Sequence, residues 1–300
     1  MKSDEQSSVL LIFIDGFGLG EENGSINPLA ETAGIEPLNN FQGSKKKKII
    51  HLGELVPTDP RLGVEGRPQS ASGQTTILTG INAPKLLGFH KQGFPNKILR
   101  EVIKDNSIFV QLKRKNISRC VFVNAYTPQF FEKEPRWKSA TICAVEAAGM
   151  SFRRLPDLLG EQALYHDFTN QTLIERGFNI PLFSPEKAGK ILADLTREYR
   201  FILYEHFLTD KIGHDQDFEK ARIHLPLLAE FIRETLGSVD LKNTTVILTS
   251  DHGNIEDLSI RNHTLNDVPT IVWGREREKV VRKIRDLADI TPAIVQLLSQ

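Results

Sequence analysis

Cysteine is scarce in this chain: 300 residues contain two, Cys120 and Cys143. Two thiols cannot make a disulfide framework, and their apolar or small-residue surroundings fit buried, reduced side chains. Net charge is missing too. The 38 lysines and arginines are matched by 38 aspartates and glutamates, so no global field points to nucleic acid or an anionic membrane as partner. The one basic run, Lys45–Lys48, reads as a solvated loop. No apolar stretch approaches the ~20 residues of a transmembrane helix. The leading MKSDEQSS is polar and carries two acids, unlike a secretory leader. A soluble, cytoplasmic protein is therefore expected. Internal repeats and low-complexity segments are absent, and the GFGLG at Gly16–Gly20 lacks the spacing of a dinucleotide fingerprint.

What is present is ordinary globular composition, 40% hydrophobic and 25% charged. It suffices for one large domain, or a core with a smaller insertion. Val9–Ile14 (VLLIFI) is continuously apolar, as a parallel strand buried on both faces must be. Similar runs recur at Cys120–Val123, Phe201–Tyr204, Thr244–Leu248 and Thr270–Trp273. Helical periodicity falls between and after them, at Asn96–Lys113, Pro185–Tyr199, Phe218–Leu236, Lys279–Leu287 and Thr291–Leu298. The alternation predicts a three-layer α/β domain around a mostly parallel sheet. Residues 126–184 break the rhythm, with one helix at Ala140–Ala148. They read as a small insertion capping the site, leaving 1–125 and 185–300 as the core.

The chemistry concentrates at strand ends, where open α/β sheets build ligand sites. Leu248–His263 (LTSDHGNIEDLSIRNH) places Asp251, His252 and His263 just past a buried strand, and carboxylate with imidazole is a ligand set for divalent transition metals. Asp15 closes the first strand. Asp210 and His214 follow the strand near Tyr204, and their four-residue spacing puts both on one face if the segment is helical. Ser70, in PQSASGQTTILTG, stands at the start of a short helix that Gly80 ends. There it is an N-cap, or a nucleophile beside the positive end of a helix where a phosphate would sit. Ser72, Thr75 and Thr76 are rival hydroxyls.

Together, DGFG at Asp15, the S-x-x-G segment at Ser70, D-x-x-x-H at Asp210 and SDHGN followed by NHTLNDVP resemble the alkaline phosphatase superfamily. They are most similar to its branch of cofactor-independent phosphoglycerate mutases, phosphopentomutases and nucleotide pyrophosphatases. The resemblance runs from about residue 9 to 274, apart from the middle of the chain. It implies two divalent ions, Mn²⁺ or Zn²⁺. One would be held by Asp210, His214 and His263, the other by Asp15, Asp251, His252 and Ser70. It further implies that Ser70 is the nucleophile and passes through a phosphoserine. The chain is too short for the large mutase substrate domain, and the sulfatase motif is lacking.

A small phosphorylated substrate is thus expected. His90 and Lys91 are candidates to meet a second anionic group, with Arg136, Lys138 and Arg153–Arg154 behind them. Asn254 and Glu256 are candidates to orient ligands from behind. The leading expectation is a phosphomonoesterase or phosphomutase. The alternatives are a phosphodiesterase of the nucleotide-pyrophosphatase kind and a silent metal-binding protein. The sequence leaves the oligomeric state open.

Overall fold

The computed structural model describes residues 7–43, 48–133 and 137–300. Its strands are β1 (Ser8–Ile14), β2 (Lys48–Ile49), β3 (Gly53–Thr58), β4 (Cys120–Phe122), β5 (Ala125–Tyr126), β6 (Arg153–Arg154), β7 (Phe201–His206), β8 (Thr244–Thr249) and β9 (Val268–Gly274). Seven of them form one sheet in the order β2-β3-β9-β8-β1-β7-β4, while β5 and β6 pair separately. The β8-β1-β7-β4 half is parallel; β9, β3 and β2 extend it antiparallel.

Every residue of β1 is buried, as a central strand with helices on both faces requires. Leu10, Ile12 and Ile14 face a layer that includes the helices Pro185–Glu198 and Phe218–Ser238. Val9, Leu11 and Phe13 face the other layer, built from Ser70–Thr79, Lys97–Asn106, Ile108–Arg114, Ala140–Ala147 and Ile290–Leu298. The fold is the expected three-layer α/β sandwich.

Three details differ from the sequence reading. The predicted helix over 96–113 is two helices. Ser107 sits between them with extended ψ, and its hydroxyl accepts from the Val110 amide at 3.4 Å, so it caps the second. The predicted helix over 279–287 shortens to Arg277–Val281, followed by a 3₁₀ turn at Leu287–Asp289. Strand β3 was not foreseen, because Glu54 and Pro57 interrupt its apolar pattern; it pairs antiparallel with β9. The side chains of the 126–184 segment join the two sheet-facing clusters: Ala140, Ala144 and Val145 on one face, Leu158, Phe168 and Leu173 on the other.

Both cysteines are free and half-buried. Burial pushes the Cys120 thiol up to about 12, which leaves it unreactive. Among the described residues no helix is long and apolar enough to cross a membrane.

Candidate metal centre

Adjacent parallel strands β8, β1 and β7 end at one edge of the sheet, in register Phe13↔Thr249 and Ile14↔His206. Each hands over a ligand-bearing segment: Asp15 after β1, Asp251-His252 after β8, and the helix Leu208–Asp215 after β7. The Asp15 amide continues the ladder to the His206 carbonyl at 2.8 Å. Gly16 then turns with φ +68°, and a Cβ there would lie 2.7 Å from the Asp210 Cα. Only glycine fits both the left-handed turn and that close approach. The next residues of β1's loop can therefore lie directly against Asp210.

The helix at 208–215 puts Asp210 and His214 on one face, with His214 Nε2 3.4 Å from Asp210 Oδ2. His263 brings its Nε2 to 3.1 Å from that of His214 and 3.5 Å from Asp210 Oδ1. The far nitrogens of both rings reach backbone carbonyls: His214 Nδ1 to Arg261 at 2.9 Å, His263 Nδ1 to Pro68 at 2.8 Å. A carbonyl only accepts, so each Nδ1 carries the proton and each Nε2 presents its lone pair to the centre. That is how proteins orient imidazole ligands of metals.

The second set surrounds His252. Its Nε2 lies 2.9 Å from Ser70 Oγ, 3.3 Å from Asp15 Oδ1 and 3.5 Å from Asp251 Oδ2. One group of converging donor atoms is Asp210, His214 and His263; the other is Asp15, Asp210 and His252, each within 4.8 Å. Asp210 thus touches both groups, where the sequence reading had given it to one. Ser70 is the first residue of its helix, not the N-cap, which is Gln69. The rival hydroxyls are occupied within the helix: Thr75 donates to the Ala71 carbonyl and Thr76 to that of Ser72. Ser72 Oγ accepts from the Lys91 amide. A cleft of about 420 Å³ opens over Ser70, Asp210, His214 and His263, walled by Gln69, Gln92, Gly93 and Asn262.

Burial, then the charges of Asp251, Asp210 and Glu205, hold the Asp15 carboxyl well above the usual range. Burial and Asp210 do the same to Asp251. Burial pushes His252 and His263 down, in the latter against the pull of Asp210. Asp15 Oδ1 and both Asp251 oxygens are buried without a hydrogen-bond partner. Two clustered carboxylates with three unpartnered oxygens, facing neutral imidazoles, carry an unmet demand for positive charge. The donor set fits a divalent cation of the Mn²⁺ or Zn²⁺ type. His252 departs from the pattern in one respect: its Nδ1 has no partner.

Behind the donors, Asn254 Nδ2 donates to Asp210 Oδ1 at 2.8 Å. Glu256 is fully buried and accepts from the amides of Gly18 and Asn254 at 3.0 and 2.7 Å, and from Thr264 and Asn266. It ties the DGFG loop to the SDHGN loop. His90 turns its ring nitrogen to the Val64 carbonyl at 3.2 Å, and Lys91 Nζ reaches the Gln92 carbonyl. Arg153 bonds Tyr199, Arg154 lies over the Phe131 ring, and Lys138 pairs with Glu146. Arg136 lies outside the described residues.

Two neighbours were missed from sequence. Gln74 donates to Asp15 Oδ2 at 3.1 Å; lying one turn beyond Ser70 on the same helix, it was findable from spacing. Arg67 donates to the His263 carbonyl at 2.6 Å, and no sequence signal marks it.

Convergent Asp/His donors beside a helix-start serine are the parts that metal-dependent phosphoryl transfer uses. A family model described as the metalloenzyme superfamily matches residues 169–300. A 2,3-bisphosphoglycerate-independent phosphoglycerate mutase of Ehrlichia canis is 23% identical over 95% of this chain and 53% of its own length. One from Clostridium kluyveri is 32% identical over 34% of the chain and 21% of its own length. The chain thus spans about half the length of the curated relative that it matches from end to end. The PH0037 protein of Pyrococcus horikoshii superposes with a TM-score of 0.56 at 13% identity, covering 98% of this chain and 97% of that one. A cold-active alkaline phosphatase of Shewanella sp. gives 0.53 at 11%, covering 96% and 99%; these two show the fold. Residues 169–300 thus match the metalloenzyme superfamily, and the chain as a whole is similar to phosphoglycerate mutases of the 2,3-bisphosphoglycerate-independent kind.

Proposed function

We propose that the protein is a two-metal phosphoryl-transfer enzyme acting on a small phosphomonoester, with Ser70 as nucleophile. The observation that carries this reading is the Ser70 hydroxyl, 2.9 Å from His252 Nε2, at the opening of a cleft that contains the other donor set. Asp210, His214 and His263 would hold one ion; Asp15, Asp251 and His252, with the serine oxygen, would hold the other. Bound divalent ions would supply a lowered hydroxyl pKa and charge stabilisation for the phosphoryl group.

The chain's own contribution is position. The helix start fixes Ser70 Oγ in the cleft lining, at the positive end of the helix. In the first step the Ser70 Oγ–P bond forms and the ester P–O bond breaks. The serine proton passes to water through the open cleft, and the departing alkoxide takes one from water. In the second step water, or a second hydroxyl, attacks the phosphoserine and frees Ser70. The choice of acceptor separates phosphatase from mutase.

The test is a panel of phosphomonoesters and phosphodiesters run with Mn²⁺ and with Zn²⁺, on the native protein and on Ser70→Ala. Monoester turnover that depends on metal and on Ser70 is expected. Preference for diesters would move the reading to the phosphodiesterase alternative. Metal binding without turnover across the panel would favour the silent metal-binding alternative.

A further inference from the structure

A second cavity, of about 360 Å³, lies at the carboxyl ends of β4 and β7, between the sheet and the 126–184 segment. Strand order β1-β7-β4 places β4 two strand spacings from β1, roughly 10 Å from the metal centre's edge. Its lining carries opposite charges on different elements: Glu205, at the end of β7, and Arg176, in the segment that covers it.

Glu205 is 9% exposed, and among the described residues its carboxylate forms no ion pair. Burial raises its carboxyl to about 7, against the pull of the Thr141 hydroxyl. The residue is held rigidly. Asn124 clamps its backbone from both sides, Oδ1 accepting from the Glu205 amide at 2.9 Å and Nδ2 donating to the Glu205 carbonyl at 2.7 Å. A buried carboxyl without a counter-ion is costly, and a strand core offers many cheaper residues at that position. Arg176 is exposed and likewise forms no ion pair among the described residues. One guanidinium nitrogen donates to Tyr165 Oη at 3.0 Å, which leaves other donors of its fork unused.

Two aromatic pairs line the same cavity. Tyr126 and Phe130 pack with ring centroids 4.2 Å apart; His166 and Phe207 stack at 4.0 Å. Burial keeps the His166 imidazole neutral, its value lowered to about 3, so this pair does not repel a cation. Aromatic faces beside a carboxylate recognise an organic ammonium. A simple anion would meet the Glu205 carboxylate, and a simple cation would meet the Arg176 guanidinium. A ligand bearing both charges satisfies both ends, and the volume suits a small metabolite.

We propose that this cavity binds a small zwitterion of the amino-acid class, its ammonium at Glu205 and its carboxylate at Arg176. The cavity contains none of the metal-centre donors or Ser70, although the charge of Glu205 reaches Asp15.

The test is calorimetric titration of the intact, metal-loaded protein with phenylalanine and with a ladder of ω-amino acids from glycine to 5-aminopentanoate. The single-charge controls are 2-phenylethylamine and 3-phenylpropanoate. At least one zwitterion should bind, and removal of either charge should weaken it roughly tenfold or more, as loss of a charge-assisted hydrogen bond predicts. Glu205→Gln should abolish the preference for an ammonium, and the exposed Arg176→Gln the preference for a carboxylate. Because Arg176 lies at the surface, its variant remains informative even if Glu205→Gln folds poorly. Ser70→Ala should bind as the native protein does, which separates this site from the catalytic reading. No binding by any zwitterion up to about 10 mM, a range that covers weak metabolite sites, overturns the proposal. So does affinity unchanged in Arg176→Gln.

Discussion

The imidazoles of His252 and His263 stack face to face, ring centroids 3.6 Å apart and 13° from parallel. Each belongs to a different donor set, yet both rings come from the single loop after β8. Its turn is held by Ser250, which accepts from the Phe17 amide at 3.0 Å and donates to the His252 carbonyl at 2.9 Å. The stack fixes the spacing of the two sets through one short segment, and both rings must stay neutral to tolerate it. Burial, which pushes both imidazoles down, secures that neutrality.

Ser70→Ala removes the proposed nucleophile at little structural cost. The hydroxyl's one described partner is His252, and the residue is half-buried at a helix start. Turnover of an aryl phosphate should fall at least about 1,000-fold, while stability changes by roughly 0.5 kcal/mol or less. Steady-state kinetics and denaturant unfolding on the same preparation check both. Retained turnover would remove the phosphoserine from the mechanism.

Metal removal should destabilise the protein more at higher pH. In the metal-free state Asp15 and Asp251 are raised above their unfolded values by burial and by neighbouring carboxylates. Groups raised in the folded state contribute stability at low pH and lose it as pH climbs through their folded values. His252 and His263 are lowered, so their contribution is complete above about pH 6.5 and is lost below it. Above that pH the carboxylate cost stands alone. Saturating Mn²⁺ or Zn²⁺ at about 100 times Kd should add about 2.7 kcal/mol. Thermal unfolding at pH 6.5 and 8.5, with metal and after chelation, reads the difference. A metal-induced rise in Tm that is smaller at pH 8.5 would contradict this assignment of charge.

The site was more legible than the element boundaries. Asp15, Asp210, His214, Asp251 and His252 follow apolar runs that can only be buried strands, so periodicity located the carboxyl edge of the sheet before any contact was known. Strand β3 escaped because Glu54 and Pro57 break its apolar run; β2 pairs only with Gly53 and Glu54, so the flank of β3 beyond them is open and tolerates Pro57. The break at Ser107 escaped because apolar spacing continues through it while only the backbone changes. The cavity at Glu205 was invisible. Its residues are scattered from 122 to 207, and a glutamate closing an apolar run reads as a strand end entering solvent.

Gly73→Ala should show how tightly the nucleophile helix is seated. A Cβ there would lie 2.9 Å from the Asp251 Cβ and 3.0 Å from its carbonyl oxygen, so helix and loop must part. A cost of about 1–3 kcal/mol follows from overpacking, with loss of activity. Gly237, exposed near the end of the Phe218–Ser238 helix, has nothing within 4 Å of the equivalent position. Gly237→Ala should stabilise by about 0.5–1 kcal/mol through helix propensity. Equal effects of the two substitutions in denaturant unfolding would show that the Gly73 contact is not tight.

Glu256→Ala should damage the centre without touching a donor atom. The buried carboxylate collects amides from Gly18 and Asn254 and side chains from Thr264 and Asn266. Asn254 in turn holds Asp210 Oδ1, and the Thr264 amide bonds the Gly253 carbonyl beside His252. Removing the carboxylate leaves buried N–H donors unpaired at about 1–3 kcal/mol each. Both loops that present Asp15 and His252 then lose their common anchor. Metal affinity should fall roughly 10–100-fold, the usual effect of losing a group that orients ligands. Glu256→Gln keeps the shape and one acceptor, so it should recover part of the affinity. Equilibrium dialysis with Mn²⁺ and Zn²⁺ on the two variants and the native protein measures this order. Equal affinity in all three would show that Glu256 acts on stability alone.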